Sequence, residues 1–127
     1  MKFLLILLFP IMSFAQVRVA VIDSGNTTNV PICGSADLTG EGPYDYLGHG
    51  SNVSGLIHDG AKDVEYCQFP IKVFGKTKNT SIAYGLLLAL VANVKIINIS
   101  AGGVERNEAE CSMVKQLLDM GVYHPRS

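Results

Sequence analysis

Excess charge of either sign is missing from this sequence. Its 127 residues carry a formal net charge of −1, with 17% charged side chains against 48% hydrophobic ones. Without a basic stripe there is no electrostatic footprint for nucleic acid. Without a polybasic stretch there is nothing to hold an anionic membrane surface. Repeats, low-complexity runs and linkers are absent too, so a single domain is expected from Gln16 onward. Cysteine is scarce: Cys33, Cys67 and Cys111 are widely spaced, and no CxxC occurs. That excludes the usual ligand spacing of a metal cluster, and no metal or cofactor is expected. In an exported chain two of the three could pair. The spacing leaves the pair open, and Cys33 with Cys67 is favoured only because both fall in the N-terminal half.

A membrane-spanning run is lacking as well. Phe3 to Phe9 are all apolar but end at Pro10, whereas about 20 apolar residues are needed to cross a bilayer. Lys2 ahead of the run and Ser13-Phe14-Ala15 behind it instead have the build of a secretory signal peptide with a small-x-small cleavage site. Residues 1–15 are therefore expected to be removed, giving a secreted or periplasmic chain that starts at Gln16 and has no membrane partner.

What is present alternates between strand and helix signals. Val17 to Ile22 is a short apolar run that stops at Asp23-Ser24-Gly25, which reads as a buried strand entering a turn. Residues 26–48 are rich in glycine, proline and small polar residues and read as loop. A helix is predicted from His49 to about His58, and its small residues Gly50, Ser51, Ser54 and Gly55 suggest close packing. Tyr66 to Phe74 reads as a second strand. Thr80 is a suitable N-cap for a helix over 81–93. That helix is apolar nearly all round and is expected to be largely buried. Val94 to Ile99 reads as a third strand, and a last helix is expected from Asn107 to Met120 with Gly121 as its stop. The alternation predicts an α/β protein, a parallel sheet with helices on both faces.

In such sheets chemistry collects beyond the carboxyl ends of the strands. Asp23 ends the first strand, Ser100 to Gly103 follow the third, and His49 opens the helix after the first loop. A poorly hydrated aspartate needs a donor to stay ionised, and a histidine ring N–H supplies one. The pairing fixes the histidine tautomer and stabilises the imidazolium formed when the ring takes a proton. His58 and His124 lack ligand-like spacing and are expected on the surface. Glu105, Glu108 and Glu110 read as a solvated helix start.

These blocks carry a family resemblance. Val-Ala-Val-Ile-Asp-Ser-Gly at 19–25 resembles the aspartate motif of the subtilisin-like serine proteases. Asp-Tyr-Leu-Gly-His-Gly-Ser-Asn-Val-Ser-Gly at 45–55 is similar to their histidine motif, with Ser51 where threonine is usual and Ser54 where alanine is usual. Val94 to Gly103 resembles the strand that lines their substrate pocket. The blocks come in the family's order and cover nearly all of residues 17–121. The resemblance implies a three-layer α/β sandwich and peptide-bond hydrolysis without a cofactor. Asp23 would orient the base, and His49 would serve as general base and then general acid. The backbone of Ser100, Ala101 and Gly102 would pair with an extended peptide or protein substrate. Ser24 and Asn98 would be structural neighbours.

Two departures stand beside the matches. No Gly-Thr-Ser-Met-Ala-like segment supplies the nucleophilic serine, and Gly121-Val122-Tyr123-His124-Pro125 replaces the strand that should bring the oxyanion asparagine. The fit ends near Val122, so the expectation is a partial peptidase domain over residues 16–127 with its C-terminal part missing. A truncated or frameshifted product, or one piece of a split gene, would have that form. The chain alone is then expected to be inactive, and a complementing C-terminal fragment is a candidate partner. Nor is there room for the family's pro-domain between Gln16 and Asp23, or for its calcium loop in the short stretch Ile57 to Asp63.

Two other readings compete. One is a catalytically inactive relative that binds peptides or a partner protein. The other is an actin-fold phosphotransferase, because Ile22-Asp23-Ser24-Gly25-Asn26-Thr27-Thr28 also looks like that fold's phosphate loop. It leaves the Gly-His-Gly block unexplained.

Overall fold

The computed structural model describes residues 16–100 and Lys115. Four strands, β1 (Val17–Asp23), β2 (Ala36–Asp37), β3 (Tyr66–Lys72) and β4 (Ile96–Ile99), form one sheet in the order β2-β3-β1-β4. Every pairing is parallel. Two helices, α1 (His49–Gly60) and α2 (Ile82–Val91), lie in the connections. This is an α/β fold, as the alternation predicts. The helix expected from Asn107 to Met120, the leader at 1–15, Cys111, His124 and the three glutamates lie outside the described residues, as do Ala101 and Gly102.

β1 has a partner on each side, so Val19 to Asp23 are all buried. A central parallel strand is covered on both faces and shows a continuous apolar run instead of an alternating one. Its alternate side chains nevertheless feed two separate clusters. Ala20 and Ile22 join Ile71, Val73, Ile97 and Ile99 with Leu86 and Ala89 of α2. Val19 and Val21 join Tyr66, against which Val53 and Ile57 of α1 pack. Each fully buried aliphatic side chain contributes about 1.5–3 kcal/mol.

β3 also has neighbours on both sides, yet it contains Pro70. Gln68 and Lys72 direct their backbone groups to the outer side: Gln68 N–H donates to Pro31 O, and the carbonyls of Gln68 and Lys72 accept from Cys33 and Leu38. Pro70 shares their parity, so its missing N–H faces the gap between the Ile32–Gln68 bridge and β2. A proline is tolerated in a strand at such an interruption. The short β2 lies within the stretch read as loop. It is held by two register pairs, Ala36 with Ile71 and Asp37 with Lys72. Cys33 and Cys67 form a disulfide with their Cα atoms 5.5 Å apart, tying this outer segment to β3.

Two expectations need correction. Ser81, not Thr80, caps α2, its hydroxyl accepting from Ala83 N–H at 3.0 Å. Thr80 is used one step earlier, where its N–H donates to Val73 O. Nor is α2 largely buried. Gly85, Leu86 and Ala89 face the sheet, while Tyr84, Leu87 and Val91 are 64%, 46% and 74% exposed. An all-round apolar composition does not specify how many faces find a neighbour.

Glu41 shows how the loops over the sheet are held. Its carboxylate accepts from the backbone N–H groups of Lys76, Thr77 and Lys78 and from the Thr77 hydroxyl. The N–H groups of Thr77 and Lys76 draw its pKa down from 4.5 to about 2. Ionised Glu41 therefore stabilises the fold fully above about pH 4.5, and that contribution is lost as the pH falls toward 2. Denaturant midpoints of the natural chain and Glu41→Gln, measured across this window, should differ at neutral pH and converge on the acid side.

Candidate active site

Asp23 closes the central strand and is 2% exposed. The His49 ring reaches it from the first residue of α1, with Nδ1 2.9 Å from Oδ1 and 3.0 Å from Oδ2. Ser24 N–H also donates to Oδ1 at 2.7 Å. A carboxylate only accepts, so Nδ1 is the donor in this contact, and in the neutral ring Nε2 then carries the lone pair. The His49 side chain is 54% exposed. One end of the imidazole is thus anchored on a buried carboxylate, and the ring is open to a partner.

The first turn of a helix leaves N–H groups without intrahelical acceptors. Here Asp45 and Ser24 satisfy those of Gly48, Gly50 and Ser51. Gly48 has φ 78° and makes no side-chain cap. Asp45 acts in its place, accepting from Gly48 N–H at 2.9 Å and Ser51 N–H at 2.8 Å. Gly50 N–H donates to Ser24 Oγ at 2.9 Å, and Ser24 Oγ donates to Asp45 Oδ1 at 2.7 Å. Burial pushes the Asp45 pKa up, but the Ser24 and Ser51 hydroxyls and the N–H groups of Ser51 and Gly48 outweigh it and hold it below the usual carboxylate range. Asp45 is therefore a buried anion fully committed to its donors. It joins the aspartate block to the histidine block.

Asp45 is a site residue that sequence reasoning misses. The available signal is weak: an acidic residue ahead of a helix start, but three positions before the N-cap Gly48 instead of at it. Ser24, expected to be only a structural neighbour, is 1% exposed and bridges both blocks. Lys72 was missed as well. It is 1% exposed at the carboxyl end of β3, with Nζ donating to Gly42 O at 2.7 Å and Tyr44 O at 2.6 Å.

Ser100 follows β4, whose last residue Ile99 is in register with Ile22, so Ser100 stands level with Asp23. Its hydroxyl accepts from Asn98 Nδ2 at 2.7 Å. His58, expected on the surface, is half-buried, with Nδ1 2.7 Å from the Tyr66 hydroxyl. Gln68 Nε2 donates to that same hydroxyl at 3.1 Å and to Ser54 O at 2.9 Å. Among the described residues no three His, Cys, Asp or Glu side chains gather as metal ligands.

A buried carboxylate on Nδ1 with an exposed ring is an arrangement that can take a proton at Nε2 and return it. Compared with known protein families and with curated proteins, the chain matches none.

Proposed function

We propose that this chain is the N-terminal part of a subtilisin-like serine endopeptidase, contributing the base and its orienting carboxylate to peptide-bond hydrolysis. The observation that carries the reading is the Asp23–His49 contact at the carboxyl edge of a parallel sheet. Its supports are the order of the motif blocks and the level of Ser100 beside Asp23. In this reading the α/β fold is the first portion of a three-layer sandwich. Asp23 orients His49, and His49 takes the proton from a serine nucleophile and passes it to the leaving amine. An extended peptide pairs with the backbone of Ser100, Ala101 and Gly102. The reaction needs no metal or cofactor, and the product is secreted or periplasmic.

The phosphotransferase reading fares worse on geometry. Its loop would need free donors for phosphate. Thr27 N–H donates to Ser51 Oγ, and Thr28 N–H to Asn26 Oδ1.

The 127 residues hold no nucleophile segment, so the test is complementation. The DNA downstream of codon 127 is read in all three frames, and any polypeptide bearing a Gly-Thr-Ser-Met-Ala-like segment is co-expressed with this chain. Peptide hydrolysis is expected from the pair and not from the chain alone. Turnover by the isolated chain that survives both Asp23→Ala and His49→Ala would end the protease reading.

A further inference from the structure

Lys72 is among the largest fully buried side chains of the described residues. A lysine ammonium is rarely taken out of water unless its surroundings compensate it. Its immediate partners are two backbone carbonyls, Gly42 O and Tyr44 O, with the Tyr46 ring centroid 4.8 Å away. Among the described residues no carboxylate makes an ion pair with it. The register nevertheless sets two acids on the neighbouring strands level with it. Lys72 is paired with Asp23 of β1 on one side and with Asp37 of β2 on the other. Register partners on adjacent strands point to the same face. The carboxyl edge of the sheet therefore carries a row Asp37, Lys72, Asp23, a cation between two acids.

The contacts of Lys72 lead onward to the histidine. Its ammonium pulls the 42–44 backbone over the end of the sheet, and Asp45 is the next residue along. Asp45 holds Gly48 and Ser51 N–H and receives the Ser24 hydroxyl, which in turn holds Gly50 N–H. The stem of Lys72 runs beneath Gly25, where a Cβ would lie 3.4 Å from Lys72 Cδ and 2.8 Å from Pro43 O. Strand end, loop and helix start are thus clamped around one buried cation.

We propose that Lys72 is a positioning residue of the Asp23–His49 pair. It fixes the 42–46 segment, and with it Asp45 and the first turn of α1, so that His49 Nδ1 stays on the Asp23 carboxylate. The inference rests on the catalytic reading of that pair, but its test reads no turnover, so the two can fail separately.

The experiment is nitrogen NMR of the full chain labelled in histidine and lysine, at about pH 8 where a histidine ring is neutral. The unsubstituted chain should show His49 as a single tautomer with its proton on Nδ1. In Lys72→Met, with the fold verified by circular dichroism, that pattern should be lost to averaging between the two tautomers. A folded Lys72→Met with the His49 pattern unchanged overturns the proposal, because a merely structural lysine would leave the ring where it is. Should Lys72→Met not fold, the unsubstituted chain decides. There the Lys72 ammonium protons should exchange slowly and show through-space contacts to the Gly42 and Tyr44 Hα atoms, and a freely exchanging ammonium overturns the assignment.

Discussion

Gly50→Ala should destabilise the domain by roughly 3 kcal/mol or more, while Gly55→Ala in the same helix should stabilise it by about 0.5–1 kcal/mol. A Cβ on Gly50 would run into the backbone oxygen of Gly25 and approach Gly25 N and Ser24 N to 3.0 and 3.1 Å. These are backbone atoms in the turn that ends β1, and they cannot swing aside as a side-chain tip can. Moving α1 outward would stretch the Gly50 N–H bond to Ser24 Oγ and draw His49 off Asp23. A Cβ on Gly55 meets nothing within 4 Å, so there alanine only removes the entropy cost of glycine in a helix. Urea unfolding of both variants reads the two signs. Equal effects would mean that the helix start is not pressed against the strand end.

On the proposed protease function, the largest effects on activity fall on the pair itself, measured on this chain together with a complementing C-terminal polypeptide. His49→Ala should lower kcat by about a million-fold, the scale found when the base of a triad is removed. Asp23→Asn should cost on the order of ten-thousand-fold with little structural change. An amide can donate toward Nδ1 where the carboxylate only accepts, which favours the tautomer with its proton on Nε2 and denies the nucleophile its acceptor. Losses of only a few-fold in kcat/KM would place the chemistry elsewhere on the molecule.

Much of the architecture was legible because its signals are local. Val17 to Ile22 announces a buried strand by its own composition, and the stop at Asp23-Ser24-Gly25 is written beside it. The start of α1 at His49 likewise falls where a glycine-flanked histidine follows a loop. The contact between Asp23 and His49 was legible for a different reason. Parallel strands joined by crossovers bring their carboxyl ends to one edge, so a residue ending β1 and one opening the next helix have little choice but to meet.

Other features depend on partners far along the chain. Nothing near Glu41 in sequence foretells three N–H groups at 76–78 converging on it. The apolar surface of α2 reads as buried nearly all round, yet Gly85, Leu86 and Ala89 alone are fully buried in it, Ile82, Leu88 and Leu90 pack against the core in part, and Tyr84, Leu87 and Val91 stay exposed. Lys72 reads as a polar interruption between Ile71 and Val73 until the register sets it between two aspartates.

By itself, then, the sequence determined the segments of β1, β3, β4, α1 and α2, the parallel order they imply, and the edge where Asp23 and His49 come together, since periodicity and stop residues act within a few positions. Only the tertiary structure decided that Cys33 pairs with Cys67, that Asp45 links the two motif blocks, and that Lys72 lies buried beneath them. Each of those choices is made between groups brought together by folding from distant parts of the chain, where distance and desolvation, not local propensity, set the outcome.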